Sequence, residues 1–418
     1  MTMRDARRAV AAVSIALLIL ALYGRTLSYG LAWDDYAALR PRTAAALLAA
    51  WTGPWDPGGV WPDFYRPLSV AMYTLLFRVF GHNGTALHAI NLAELFLAAW
   101  MLRAFVRRET ASPGLGLIAG VLLILNPETP SSLAAWISQQ FHLVPLICVL
   151  SAMLAWQRIR HRHGPIWGWV VAPLAVGVLM KEDTLMVLPA LLTWQFVRAR
   201  VIGDVAAPSR TVVGLTALVA VLYGVWRTVA LGAIGGYGAP TAWELVLNAV
   251  NGPARAFGML WLMSAHVISI ATGAGVAVLI ASAWHHRHHA RPSLTALALS
   301  GLTLGVFANM PLLLISGHTR LHLMILASSL TLTAALGICA DGLAATRRAI
   351  PRPAVAGLVA WMIAMAAANW ANTNTFAPCG LEAQKRDAEV LTWDLITSAD
   401  RSEITARLAG CEAPGAPE

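Results

Sequence analysis

Two adjacent carboxylates, Asp34 and Asp35, stand in "LAWDDYAAL" just after a long apolar run. Neighbouring like charges repel. Inside hydrocarbon each would cost roughly 2.5–3.5 kcal/mol on insertion scales, so the pair is expected at or beyond a membrane interface. A paired acid can share a proton, which lifts one partner toward neutrality and makes it a base for a hydroxyl group. The bland alternative is a solvated loop, where a substitution changes stability by no more than about 0.5 kcal/mol.

Four further groupings could do chemistry. In "MKEDTLMVLPALL", Lys181, Glu182 and Asp183 occupy a short hairpin between apolar runs. They either stop two helices or line an aqueous site, where a lysine binds phosphate as a point charge. His88, Asn91 and Glu94 are spaced three apart and so share a helix face. They fit either a cavity wall or a hydrogen-bond network between packed helices. In "NPETPSSLAAWISQQFHLV", Glu128 is the only acid, Pro127 and Pro130 mark a turn, and His142 reads as a packing or supporting histidine. Arg320, in "ISGHTRLHLMIL", sits at a helix start, where it anchors a phosphate or snorkels to the interface.

The elements that must carry these groups are membrane helices. Hydrophobic residues make up 58% of the chain and charged residues only 12%, against about a quarter charged in soluble proteins. The chain therefore reads as an all-α, polytopic membrane helix bundle of about 11 spans. The spans are expected near 9–24, 84–103, 112–126, 137–157, 165–180, 184–198, 211–231, 267–284, 294–315, 322–341 and 353–371. The membrane domain is thus 1–371, followed by a short polar tail over 372–418. The first outer loop is large and tryptophan-rich, and interfacial helices are expected at 67–80 and 253–264.

Charge supplies an orientation. Arg103, Arg107 and Arg108, then Arg158, Arg160 and Arg162, then Arg347, Arg348 and Arg352 fall in alternate connections, where the acids are few. The positive-inside rule then sets the N-terminus in the cytoplasm and the C-terminus outside, in an integral membrane protein of the bacterial inner membrane type. Cys379 and Cys411 fall together on the outer side and are expected to form a disulfide, with Cys148 and Cys339 reduced within spans. The net charge of +9 is explained by the inner clusters, so no nucleic-acid partner is inferred. The cluster "HHRHH" at 285–289 extends a basic patch rather than forming a metal site. P-loop, GxSxG and HExxH signatures are missing, which removes support for nucleotide-driven pumping and hydrolase chemistry.

In this order, these stretches resemble the polytopic GT-C glycosyltransferases, and most of all bacterial relatives of the protein O-mannosyltransferases and transmembrane O-mannosyltransferases. The resemblance runs over roughly 10–340. It rests on "WDDY", on "YRPLS", on Gly81, Asn83, His88 and Asn91, on Pro127 with Ala135 to Ser138, on Lys181, Glu182 and Pro189, and on Arg320. The chain departs from the family pattern at Gln139, Gln140 and His142, and it lacks the family's "YLYLP" run and its downstream tandem repeats.

The resemblance implies a GT-C-like fold and a polyprenyl-phosphate sugar donor. The acceptor hydroxyl would lie on a protein, lipid or glycan at the outer face. Asp34 and Asp35 would be catalytic, with either one as base; where Asp35 is the base, Asp34 orients the acceptor. Lys181, Arg320 and Arg66 would bind the donor phosphate. Glu182, Glu128, His88, Asn91 and His142 would bind substrate or support the site. No cofactor is required by this reading, and a divalent metal stays open. Besides substrates, the expected partners are membrane lipids. The competing expectation is a transporter or lipid flippase, with Glu94, Asp34 and Lys181 along a path; the internal repeats common in transporters are not visible in the sequence. A third reading is an inactive scaffold for a partner enzyme.

Overall fold

A computed structural model of the chain describes residues 2–55, 64–126, 128–159, 168–203, 210–232, 241–243, 246, 266–313, 322–346, 352–393 and 396–411. Arg320 and the expected helix at 253–264 lie outside them. The described residues are helical, with no strand among them.

The chain runs α1 (Met3–Tyr23), α2 (Asp34–Ala38), α3 (Ala44–Ala49), α4 (Pro67–Phe80), α5 (Gly84–Thr110), α6 (Pro113–Leu125) and α7 (Gln140–Ile159). It continues through α8 (Gly168–Met180), α9 (Val187–Ile202), α10 (Arg210–Leu231), α11 (His266–His286), α12 (Pro292–Leu313), α13 (His322–Ala345) and α14 (Arg352–Thr375). The tail folds as α15 (Leu381–Val390) and α16 (Ser398–Cys411). Among the described residues seven apolar helices are long enough to cross a bilayer: α1, α5, α7, α9 with the turn before it, α10, α12 and α13. They make this an integral, multi-pass membrane protein. Their outward faces agree: Val10, Val13, Leu17 and Leu20 on α1, and Val221, Leu222, Val225 and Val229 on α10, are exposed as a lipid-facing surface would be.

Local chemistry sets the helix ends. Pro67 begins α4 at a position where no amide is needed. Asn83 caps α5 by accepting from the Ala86 amide, and Ser112 caps α6 by accepting from the Leu115 amide. The helix expected to stop at 103 continues to Thr110, because Arg103, Arg107 and Arg108 are good helix formers and favour a C-terminal turn. Helices α5 and α6 approach closely at Gly116 and Gly120. A Cβ there would meet the Arg103 carbonyl at 2.6 Å and the Ala99 carbonyl at 2.9 Å. The bundle core includes Ile15, Leu95, Leu123, Leu146, Leu297 and Leu326.

Charge separates along the bundle. At one end Arg198 pairs with Glu109, Gln157 donates to Glu109 at 2.7 Å, and Arg291 binds Asp341 at 2.9 Å. At the other end, where α1 and α6 finish and α5 and α13 begin, the remaining chain between spans builds a second, smaller core. Leu31, Tyr36, Leu39, Trp55, Tyr73, Leu87 and Phe141 meet there with Val390 and Ile404 of the tail.

Candidate functional site

The acid pair lies in that smaller core. Trp33 precedes it with φ +44° and ψ −114°, and the chain turns there into α2, whose first two residues are Asp34 and Asp35. Neither acid is a solvated loop residue. Asp35 is fully buried and Asp34 only 8% exposed. This removes the bland alternative of a solvated loop, and with it the near-zero cost of substitution that such a loop would give. The burial depends on a distant segment, since the Ser138 amide donates to Asp35 Oδ1 at 2.7 Å. The Ala32 amide donates to Oδ2 at 3.0 Å. Burial pushes Asp35 from its ordinary 3.8 up to about 6, and the amide donors oppose part of that rise.

Ser138 links the acids to the cationic groups. The Tyr73 hydroxyl donates to the Ser138 carbonyl at 2.6 Å and accepts from the Phe141 amide at 3.1 Å. The Phe141 ring then carries two cations, with Arg66 at 5.3 Å and Lys181 at 5.1 Å from its centre. A short run of structure, from 138 to 141, therefore has Asp35 on one side and the positive charge on the other.

Arg66 and Glu182 form a bidentate pair, with Nε to Oε2 at 2.9 Å and Nη2 to Oε1 at 2.7 Å. The pair ties α4 to the turn before α9, where Ser69 also donates to the Met180 carbonyl at 2.9 Å. Lys181 lies 3.9 Å from Asp183, whose other oxygen is 3.5 Å from His322 Nε2. His322 Nδ1 in turn meets His142 Nδ1 at 3.1 Å. Two ring nitrogens that share a hydrogen bond must hold one proton between them, so the two rings carry different roles. Lys181, Asp183, His322 and His142 thus form one largely buried polar row beside the Arg66–Glu182 pair.

The His88 and Asn91 face braces the backbone. His88 Nε2 bonds the Gly30 carbonyl at 3.0 Å, and the Asn91 amide donates to the Trp136 carbonyl. Both therefore support the segments on either side of the acids. Glu128 is fully buried in the turn after α6, where its amide donates to Asn126 Oδ1 at 3.0 Å. Asn126 in turn donates to Ser328 of α13 at 3.1 Å.

Sequence reasoning missed Tyr73 and His322. The signal for His322 was available: a titratable residue at the start of a long apolar run is costly unless it has partners. Tyr73 gave no comparable signal, because tyrosine is ordinary on an interfacial helix. Among the described residues no group of three or more His, Cys, Asp or Glu side chains could hold a metal ion.

The chain matches no protein-family model, and no curated protein matches it.

Proposed function

We propose that this protein is a membrane glycosyltransferase of GT-C type. It moves a sugar from a polyprenyl-phosphate donor to a hydroxyl on a protein, lipid or glycan acceptor. The observation that carries the reading is the meeting of an acid pair and a lysine around residues 138–141, at one end of an apolar bundle. Such an end suits a donor with a lipid tail and a charged head. The tail can lie against the apolar helices while the phosphate stays at the interface.

The two acids take different parts. Both Asp35 oxygens accept backbone amides and its side chain is fully buried, so it holds the turn. Asp34, the more exposed of the two, is the base. Of the two aspartates that the resemblance left open, this takes Asp34. As the acceptor oxygen bonds to the anomeric carbon, its proton passes to Asp34 and the bond to the lipid phosphate breaks. The leaving phosphate carries the electron pair away, and Lys181 neutralises its charge. Arg320 is a second candidate for that task on the resemblance alone. Arg66 has Nε and Nη2 engaged by Glu182, so it serves chiefly to fix the hairpin that presents Lys181. His322 stands 3.5 Å from Asp183, which lies 3.9 Å from the lysine, and His142 backs His322.

In this reading the arginine-rich end faces the cytoplasm and the acid-pair end faces outward, in a bacterial inner membrane. The test is transfer from a polyprenyl-phosphate sugar by the purified protein in detergent. Asp34→Asn should slow transfer on the order of 10²–10⁴-fold, the usual contribution of a general base. Full activity of Asp34→Asn would remove the aspartate from the reaction and favour a transport role for the same polar row.

A further inference from the structure

The reaction proposed above makes no use of the C-terminal tail, yet the tail grips the residues that lead into the acid pair. Arg407 of α16 donates from Nη1 to the Leu31 carbonyl at 2.9 Å. Its Nε and Nη2 are held by Asp387 of α15 at 2.8 and 2.7 Å. The Arg386 guanidinium lies 4.0 Å over the Trp33 ring. Asp400 is 3.6 Å from His82, at the turn between α4 and α5. Cys379 and Cys411 form a disulfide with Cα atoms 5.3 Å apart, and this closes α15 and α16 into one hairpin. Val390, Ile396 and Ile404 share an apolar cluster with Leu31, Tyr36 and Leu39.

What this grip holds is strained. Trp33 is not a glycine, and its φ of +44° with ψ of −114° lies where side-chain-bearing residues are rare. Such a backbone persists only when its surroundings over-determine it, and such sites cluster where strain serves a function. Here Arg386 covers the indole, Trp136 meets it edge-on at 5.3 Å, and Arg407 pins the carbonyl two residues earlier. The next residue after the bend is Asp34.

We propose that the disulfide-closed C-terminal hairpin is a positioning clamp for the acid pair, with Arg407 as its positioning residue. Arg407 fixes the Leu31–Trp33 bend, and the bend sets the direction in which Asp34 leaves the chain. The effect on catalysis rests on the function proposed above, while the clamp itself does not.

The experiment uses the full chain in detergent. Backbone hydrogen exchange is followed over 31–39 in wild type, Arg407→Ala, Arg407→Lys and Arg386→Ala, alongside sugar transfer. A charge-assisted hydrogen bond lost from a buried carbonyl should speed exchange over 31–39 by about tenfold or more in Arg407→Ala. Exchange in α5 and α13 should not change. Transfer should lose kcat with the donor KM unchanged, and Arg407→Lys should recover part of both effects. Arg386→Ala, which removes the cation over the Trp33 ring and a pair with Glu389 within α15, should speed the same segment and serves if Arg407→Ala does not fold. Unchanged exchange over 31–39 in the variants that fold overturns the clamp, whatever happens to transfer. If wild type transfers no sugar, the functional reading fails and exchange alone decides.

Discussion

Removing Arg66 should destabilise the protein much more than removing Arg66 and Glu182 together. The two side chains share parallel bonds of 2.9 and 2.7 Å. Arg66 is 4% exposed, with its guanidinium 4.3 Å over Phe64. Breaking a buried ion pair from one side costs about 3–5 kcal/mol, because a charge is left in a poor environment. Glu182 is 27% exposed and Lys181 stays nearby as a second cation, so the lower part of that range applies. Arg66→Met should therefore lose about 3 kcal/mol. Glu182→Leu should lose a similar amount or more, because it strands the more deeply buried arginine. Arg66→Met with Glu182→Leu replaces the pair by apolar groups and should return close to wild type, since such replacements are often neutral or stabilising. The assay is equilibrium unfolding in mixed micelles, followed by tryptophan fluorescence, for all four proteins of the double-mutant cycle. Two single variants within about 0.5 kcal/mol of wild type would refute the reasoning, because neither side chain would then depend on the other.

Asp35 makes stability depend on pH. Its folded value of about 6 lies above the ordinary 3.8, so its contribution is full below about pH 4 and is lost as pH rises through 6. Wild type should lose about 3 kcal/mol relative to Asp35→Asn over that window, and a flat difference between the two unfolding profiles would contradict the burial described here. In Gly84→Ala, the new Cβ would meet Gly30 Cα at 2.7 Å and its carbonyl carbon at 2.9 Å. Overpacking backbone against backbone should cost about 1–3 kcal/mol, read as a lower unfolding midpoint. Thiol labelling of the denatured, unreduced protein should modify Cys148 and Cys339 and spare Cys379 and Cys411. Labelling of all four would rule out the disulfide. For orientation, a reporter active only outside the membrane should work when fused after Ala377 and fail after Ala111; the reverse would invert the proposed topology.

The helices were legible because a spanning segment must satisfy its own backbone in a run of apolar residues, and that run is visible locally. Pro67 and Gly81 likewise mark the ends of α4 without any tertiary information. The tail disulfide was legible because Cys379 and Cys411 fall together after the last apolar run, apart from Cys148 and Cys339. The environment of the acids was not, because it is made by partners far along the chain. Asp35 is buried through Ser138, 103 residues away. His142 is defined by His322, 180 residues away. Spacing places His88 and Asn91 on one face, yet both bind carbonyls, and carbonyls carry no sequence signature. The grip of Arg407 on Leu31 was hidden for the same reason, since an arginine in a polar tail resembles any solvated charge.

That grip has a consequence for how the protein is made. Leu31 and Arg407 are 376 residues apart, and Tyr23, which donates to Asn369 at 2.5 Å, waits for a partner 346 residues away. The ribosome delivers the acid pair near the beginning of synthesis and its last support near the end. The spans between can insert and pair with neighbours as they emerge, because contacts such as those of α5 with α6 are local. The mouth around the acid pair cannot. It stays open throughout translation and closes only when the final helices have returned to Leu31. A nascent chain that stalls before residue 407 would carry a formed bundle with an unfinished mouth, and the buried setting of the acid pair is thereby confined to molecules completed to that point.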